Sequence, residues 1–135
     1  MDLKGLLLDY AGVLDDPGDD PSGAPPLVEV ARCVRGAGIG TALVSNAGGL
    51  REPDLADLFD AVVLSGAVGV SKPNAEIYLL AARRLGLEPG QCVFVDDLPR
   101  NVAGAVGAGM VGVHHCDVAS TVTELAALFD LEITL

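Results

Sequence analysis

Short apolar runs alternate with amphipathic stretches along the chain. Five runs have the length and composition of buried strands: Leu6–Asp9, Thr41–Ser45, Ala61–Leu64, Cys92–Val95 and Val111–Val113. The stretches between them have the apolar spacing of helices, which we predict over 27–37, Leu50–Leu58, Pro73–Leu85, 99–108 and Val118–Leu128. Strands that are apolar on both faces and alternate with helices indicate a parallel sheet covered on both sides. The pattern therefore predicts a three-layer α/β fold with a central parallel sheet.

Proline and glycine mark the boundaries of these segments. Pro73 suits the first turn of its helix, and Gly86 suits the end of it. The segment from Asp15 to Pro26, DDPGDDPSGAPP, is rich in proline, glycine and aspartate and is predicted to be a loop. Because no internal repeat or second domain is visible, residues 1–135 are predicted to form a single domain, which suits their number.

Polar side chains follow three of the predicted strands. Asp9, Ser45 and the pair Asp96–Asp97 stand at the ends of apolar runs, and Lys72 precedes a predicted helix. Each feature alone has an ordinary explanation as a cap, a turn residue or a solvated charge. However, ligands of parallel sheets bind beyond the carboxyl ends of the strands, and two buried carboxylates are costly without a cation between them. Their joint occurrence favours one site on one rim of the sheet.

These residue types suit phosphoryl chemistry. Asp9 has the carboxylate of a nucleophile that would form an aspartyl-phosphate. Asp9 and Asp97, with backbone oxygens and waters, are hard ligands of the kind that Mg²⁺ prefers. The Ser45 hydroxyl and the Asn46 N–H are candidates to hold phosphate oxygens. Lys72 is a candidate to pair with Asp9 and with the phosphate.

The composition of the chain excludes some classes of binding partner and indicates a location. The chain has 8 Lys and Arg against 19 Asp and Glu, a net charge of −11, which argues against nucleic acid and anionic membranes. An acidic protein that handles phosphate needs a cation or a local lysine. Cys33, Cys92 and Cys116 have no CxxC spacing and are predicted to be reduced. With no visible signal peptide and no apolar stretch near the roughly 18 residues of a membrane span, the expected location is cytoplasmic.

The order and spacing of the polar residues resemble the four motifs of the haloacid dehalogenase-like (HAD) hydrolases. Those motifs are a strand followed by DxDG(T/V)L, a strand ending in Ser or Thr, a segment often written SKPDPEIY, and a strand ending in acidic residues. The resemblance covers about residues 4–115 and is specific because all four occur in order. The matching segments are Leu6–Leu14, Leu43–Asn46, Ser71–Tyr78, and Val93–Asp97 with Asn101–Val102 and Gly109–Met110.

The resemblance implies a Rossmann-like fold with Asp9 as the covalent nucleophile. It also implies Mg²⁺ held by Asp9, by the backbone carbonyl of Ala11 and by an aspartate of the fourth motif. Asp97 is the favoured direct ligand, with Asp96 close to the metal or behind the direct ligands. The groups assigned to the phosphoryl part of a phosphorylated substrate are Ser45, Asn46, Lys72 and Gly12.

One departure from the family pattern concerns proton transfer. Ala11 stands where phosphatases of this type have a second aspartate that acts as general acid and base. Alanine keeps the backbone carbonyl, so metal binding is expected to survive, but a positioned acid/base is worth about 10²- to 10⁴-fold in rate. Asp15 or Asp16 of the loop is a weak candidate to replace it. The same DxAG pattern resembles phosphonoacetaldehyde hydrolases, which rely on a Schiff-base lysine from a cap domain.

A second departure concerns the cover of the site. Many relatives insert a helical cap after the first motif, where this chain has only the loop 15–26. An uncovered site is open to water. The substrate is therefore predicted to be either a small molecule or a macromolecule, and a homo-oligomer is a candidate to cover the site.

Two competing interpretations remain. Receiver domains of response regulators also use an acidic Mg²⁺ pocket and a Lys-Pro pair, but in those domains the Lys-Pro comes last, whereas here Lys72 precedes Asp96. A catalytically impaired phosphate- or metal-binding regulatory domain is the more serious alternative, which Ala11 and the missing cap favour.

The run from His114 to Asp117 has residue types that bind metals. However, neighbouring residues on a strand point to opposite faces, so these side chains are not expected to converge on one ion.

Overall fold

A computed structural model of the protein describes residues 2–50 and 53–134. Short turns of helix occur at Tyr10–Leu14, Pro53–Leu58 and Pro89–Gln91. The strands are β1 (Gly5–Leu8), β2 (Gly40–Ser45), β3 (Ala61–Leu64), β4 (Cys92–Asp96) and β5 (Val111–His114). The α-helices are α1 (Pro26–Gly36), α2 (Ser65–Val68), α3 (Ala75–Arg84), α4 (Pro99–Gly107) and α5 (Val118–Phe129).

The five strands form one parallel sheet in the order β3-β2-β1-β4-β5. In the centre, Leu8 of β1 lies beside Leu43 of β2 and Val95 of β4. The chain leaves β1 for helix α1 on one face and leaves β4 for helix α4 on the other. Such a divergence opens a crevice between the carboxyl ends of two neighbouring strands. Here the crevice lies next to Asp9 and Asp96.

Alternating side chains of the sheet fill two separate hydrophobic cores. Leu6 and Leu8 point to the face covered by α1 and α5, whereas Leu7 between them points to the face covered by α3 and α4. This period of two is the expected consequence of strand geometry, and it needs apolar residues at successive positions when both faces are buried. The predicted three-layer α/β fold is therefore confirmed.

Most predicted elements lie within two residues of the observed ones, with one informative difference at a helix start. Helix α3 begins at Ala75 rather than at Pro73, because the Asn74 side chain accepts a hydrogen bond from the Glu76 N–H and acts as the N-cap. The Lys72–Pro73 peptide bond before it is cis. The predicted helix Leu50–Leu58 is a 3-10 turn at Pro53–Leu58, and its positions 51 and 52 lie outside the described residues.

The turn after β1 requires glycine at position 12. Gly12 has φ +82°, a conformation that side chains disfavour, and a Cβ there would overlap the Asp97 carboxylate. Its neighbour Ala11 has extended backbone angles, φ −68° and ψ 124°. The turn therefore lies close against the end of β4, and Gly12 is what permits this approach.

The segment between Leu14 and α1 has no helix or strand, as predicted for the loop 15–26. It is attached to the core near its start, where Asp16 Oδ2 lies 2.7 Å from His115 Nε2. His115 is buried, and its Nδ1 lies 2.7 Å from Thr121 Oγ1 of α5. That residues 1–135 form a single domain stays a prediction. No helix within residues 2–50 and 53–134 has the length and apolar character needed to cross a membrane.

Helix α4 closely approaches the segment before α3 at Pro73, the residue that follows Lys72. A Cβ on Gly104 would lie 2.6 Å from the Pro73 carbonyl oxygen, whereas a Cβ on Gly107, in the same helix, would meet nothing within 4 Å. The two glycines therefore form a pair within one helix in which only Gly104 has a close contact, Gly107 being the last residue of the helix.

We expect Gly104→Ala to lower the free energy of unfolding by about 1–3 kcal/mol, because the backbone of Pro73 must move. Gly107→Ala should leave that free energy unchanged or raise it by up to about 1 kcal/mol, because alanine favours the helix. Urea unfolding followed by circular dichroism measures both. Equal responses of the two variants would contradict a tight contact between α4 and Pro73.

Candidate active site

The carboxyl ends of β1 and β4 bring two aspartates together. The register pairs Leu8 with Val95, and the Asp9 N–H donates to the Val95 carbonyl at 3.1 Å. Asp9 and Asp96 are therefore the next residues on adjacent parallel strands, and both are buried. This is the rim on which the sequence analysis placed the site.

Lys72 binds both aspartates at once. Its Nζ lies 2.7 Å from Asp9 Oδ1, 2.9 Å from Asp96 Oδ2 and 2.9 Å from the Val44 carbonyl oxygen. An ammonium has three donor hydrogens, so these contacts use all of them. The Lys72 side chain is 1% exposed, and Nζ lies 5.5 Å from the centre of the Phe94 ring. Lys72 thus places one positive charge between two carboxylates beneath the surface of the site.

Asn46 holds Lys72 in place from the end of β2. The Lys72 N–H donates to Asn46 Oδ1 at 2.8 Å, and Asn46 Nδ2 donates to the Lys72 carbonyl at 3.1 Å. The amide side chain therefore pairs with the Lys72 backbone as a neighbouring strand would. The prediction that the Asn46 backbone N–H binds phosphate stays a prediction, and the side chain has a positioning role that the sequence analysis missed.

Asp96 is held by hydrogen bonds from three directions. Besides Lys72, the Leu98 N–H donates to Oδ1 at 2.9 Å and Asn101 Nδ2 donates to Oδ2 at 3.1 Å. The backbone of Asn101 is fixed in turn, because Tyr78 donates its hydroxyl to the Asn101 carbonyl at 2.7 Å. The Asn101 Oδ1 atom is buried and has no hydrogen-bond partner within the described residues. A buried acceptor without a partner indicates a place for a donor such as a water molecule.

Three carboxylates form the only cluster with metal-ligand spacing among residues 2–50 and 53–134. Oxygens of Asp9, Asp96 and Asp97 all lie within 4.8 Å of one another. Burial raises the pKa of Asp9 from 3.8 to about 6, against the opposing charge and hydrogen bond of Lys72. Burial, and next the hydrogen bond and charge of Asp96, also raise the pKa of Asp97. When ionised, three carboxylates and one ammonium leave an excess of negative charge that suits a divalent cation.

A cavity of about 240 Å³ opens above this cluster. Six of the eight residues predicted for the site line it, so the fold brings most of the predicted set to one place. Asp96 and Gly12 do not line the cavity, and the Gly12 N–H donates to Asp15 Oδ1 at 2.7 Å. The lining residues are Asp9, Ala11, Ser45, Asn46, Lys72, Asp97, Leu98 and Asn101.

His114, the last residue of β5, and the following His115 do not form a second metal site. His114 Nε2 lies 2.9 Å from the Asp97 carbonyl oxygen, whereas His115 is buried between Thr121 and Asp16. The two rings lie on opposite sides of the strand, as the alternation of strand side chains predicts. His114 instead contacts the backbone of a residue of the carboxylate cluster, a role for which the sequence carries no signal.

A larger cavity of about 700 Å³ lies elsewhere, between α1 and Pro53–Leu58. Its two arginines already have acidic or carbonyl partners, since Arg32 bonds to Glu29 and Arg35 bonds to Asp60 and to the Asp57 carbonyl. The smaller cavity is lined by Asp9, Asp97 and Lys72, and it is therefore the candidate active site.

The sequence profile of a hydrolase family, haloacid dehalogenase-like hydrolase, matches residues 6–109. A glyceraldehyde 3-phosphate phosphatase of Methanopyrus kandleri is 50% identical over 56 residues, which are 41% of this chain and 24% of that protein. The chain spans between 11% and 50% of the length of the curated relatives it matches.

Solved structures with the same fold extend the comparison to the whole chain. An uncharacterized protein from Corynebacterium glutamicum is 36% identical, with a TM-score of 0.86 over 98% of this chain and 99% of the other. A HAD family enzyme from Bacteroides thetaiotaomicron, solved in complex with magnesium and inorganic phosphate, is 16% identical with a TM-score of 0.64, over 83% of this chain and 93% of the other. The family profile alone covers more than half of the sequence, and the chain belongs to the haloacid dehalogenase-like hydrolases.

Proposed function

We propose that this chain hydrolyses phosphomonoesters with the help of Mg²⁺ and through an aspartyl-phosphate on Asp9. The observation that carries the proposal is that Asp9, Lys72 and Asp97 line one cavity, while the buried Asp96 is paired with Lys72 beside them. The phosphatase among the relatives and the magnesium and phosphate bound by the Bacteroides enzyme agree with this chemistry.

Asp9 is suited to in-line attack on phosphorus. Lys72 binds its Oδ1, which orients the carboxylate and leaves Oδ2 for attack. A bond forms between Asp9 and phosphorus as the ester P–O bond breaks, and the leaving oxygen takes a proton from solvent water, because Ala11 has none to give. A second water molecule then attacks phosphorus and releases a proton to solvent, the bond to Asp9 breaks, and inorganic phosphate leaves with the carboxylate restored. The Ser45 hydroxyl has no hydrogen-bond partner in the described part of the chain and is suited to hold a phosphate oxygen.

The residues present fit a magnesium ion. Asp9 and Asp97 would hold it with the Ala11 carbonyl, whereas Asp96, whose two oxygens already accept three hydrogen bonds, would support the direct ligands. Bound there, Mg²⁺ would supply charge neutralisation for the phosphate. The unpaired Asn101 Oδ1 would accept a hydrogen bond from a water molecule beside the site.

A second candidate is a domain that binds phosphate and metal without efficient turnover, and the observation that favours it is Ala11. This residue is exposed at the cavity and has no group to donate a proton to the leaving oxygen. Substrate size, a covering homo-oligomer and a cytoplasmic location stay predictions.

The first test removes the nucleophile. Asp9→Asn should lower the Mg²⁺-dependent hydrolysis of an aryl phosphate by about 10³-fold or more, since an amide does not attack phosphorus. Asp19→Asn, an exposed change in the loop, should retain the activity of the original protein. Steady-state kinetics with purified proteins measures both. Full activity of the Asp9 variant would rule out the aspartyl-phosphate.

The second test restores the missing acid. Ala11→Asp should raise kcat by about tenfold or more on an alkyl phosphate, whose leaving group needs a proton, and by less on a nitrophenyl phosphate. Ala11→Asn is the control, because asparagine has the size and polarity of aspartate but no carboxyl proton to donate. A rise in both variants, or in neither, would contradict the assignment of Ala11 as the cause of weak turnover.

The third test uses the pH dependence of stability without metal. The pKa of Asp9 is about 6 in the folded state and 3.8 when the side chain is exposed by unfolding. The folded state therefore binds more protons than the unfolded state between these two pH values. The free energy of unfolding should therefore fall between pH 4 and 6, by roughly 2 kcal/mol, and the fall should be smaller in Asp9→Asn.

Mg²⁺ should offset the loss of stability that ionisation of the buried carboxylates causes. At pH 7, millimolar Mg²⁺ should raise the melting temperature of the original protein and of Asp19→Asn but not of Asp97→Asn, because only the last lacks a ligand. Stability that rises between pH 4 and 6, or an equal Mg²⁺ effect in all three proteins, would contradict the carboxylate site.

A further inference from the structure

A second cavity, of about 160 Å³, adjoins the candidate active site. The two cavities share Ala11, Ser45 and Asn46 as lining residues. They therefore meet beside the proposed phosphoryl position, at Ala11, where the motif of the family has its second aspartate. A group attached to a phosphate in the first cavity would extend across the Ala11 methyl group into the second.

Part of the lining of this second cavity is apolar. Leu50, Leu64 and Tyr10 line it and are half-buried, whereas Asp15, Ser45 and Asn46 form a polar part. The loop after β2 that carries part of the wall is attached to α2, because the Gly66 N–H donates to the Ala47 carbonyl at 2.9 Å. The cavity thus offers an apolar surface beside polar groups to a ligand.

The volume sets the size of the ligand. A cavity of about 150 Å³ with an apolar lining holds one benzene molecule, whereas sites for drug-sized ligands have about 300–1,000 Å³. The cavity of about 160 Å³ therefore has room for roughly six to eight non-hydrogen atoms. A nucleoside or a longer chain would extend beyond it.

One carboxylate sets the charge of the ligand. Asp15 lines the cavity, and its Oδ1 accepts a hydrogen bond from the Gly12 N–H at 2.7 Å, which fixes the side chain beside the passage. A second anionic group on the ligand would face this carboxylate in a protein of net charge −11. The cavity therefore disfavours diphosphates and phosphates that carry a carboxylate.

We infer that the second cavity is a leaving-group subsite, and that the substrate is the monophosphate of a small uncharged alcohol with an apolar part. The inference rests on the proposed function, because the phosphate in the first cavity orients the alcohol toward Leu64 and Leu50. The substrate is thus a small molecule, and a preference for a phosphorylated protein would contradict the subsite.

Binding of phosphonates, which are not hydrolysed, tests the subsite apart from turnover. Isothermal titration with Mg²⁺ present compares phenylphosphonate, which should fill both cavities, with methylphosphonate, which should fill the first alone. We expect phenylphosphonate to bind about tenfold more tightly, as its ring leaves water for an apolar surface.

Filling the subsite should remove this preference. Leu64→Phe should bring the two affinities within about twofold while leaving methylphosphonate binding unchanged, and Leu50→Phe, from another part of the wall, should do the same. Leu55→Phe is the matched control, because Leu55 lines the unrelated cavity beside α1. Thermal unfolding of each variant identifies any that fails to fold.

The charge of Asp15 is tested with a carboxylate on the ring. The original protein should bind 4-carboxyphenylphosphonate more weakly than phenylphosphonate, and Asp15→Asn should reduce the difference by about two- to fivefold. Asparagine keeps the oxygen that accepts from Gly12. Asp19→Asn, in the same loop but outside the cavity lining, should leave the difference unchanged.

The outcomes separate this inference from the proposed function. If methylphosphonate binds but phenylphosphonate binds no more tightly, or if the preference survives both Leu64→Phe and Leu50→Phe, the subsite is wrong and the phosphoryl site stands. Hydrolysis of a phosphopeptide at a higher kcat/KM than phenyl phosphate would also overturn the subsite. If neither phosphonate binds and no phosphate ester is hydrolysed, the proposed function fails and the subsite with it.

Discussion

The ammonium group of Lys72 determines how the site is assembled. It donates one hydrogen bond to each of three strands, through Asp9 after β1, Val44 in β2 and Asp96 in β4. Without it, Asp9 and Asp96 would place two negative charges side by side in a buried position, which is costly. Asn46 in turn binds the backbone of Lys72, and the next residue, Pro73, packs against Gly104 of α4. Residues distant in sequence therefore stabilise one another through a single cation.

The general features of this fold follow from its sequence pattern. Continuous apolar runs are needed wherever a strand is buried on both faces, so β1 and β4 were predictable within one residue. The convergence of Asp9, Ser45 and Asp97 was also predictable, because carboxyl ends of parallel strands share one rim, and Lys72 joins them from the segment before α3. The roles assigned to these residues rest on the resemblance and stay predictions.

Other features depend on contacts that no local pattern encodes. The Asn46 side chain pairs with the Lys72 backbone across 26 residues, and His115 reaches Asp16 across 99. An asparagine after a strand can bind many different partners, and its actual partner is determined by the tertiary structure. The start of α3 was misplaced for a related reason, since proline suits a first helical turn but the Asn74 cap determines where the helix begins.

The attachment of Asp16 to His115 divides the segment before α1 into two parts with different freedom. The part before Asp16 is the turn that carries Ala11 and Gly12, and it is fastened to the end of β5. The part after it, up to Pro25, is largely exposed. Additional sequence inserted after Asp16 would therefore leave the geometry of the turn intact, so this scaffold offers a position for grafting a foreign lid domain above the carboxylates without rebuilding them.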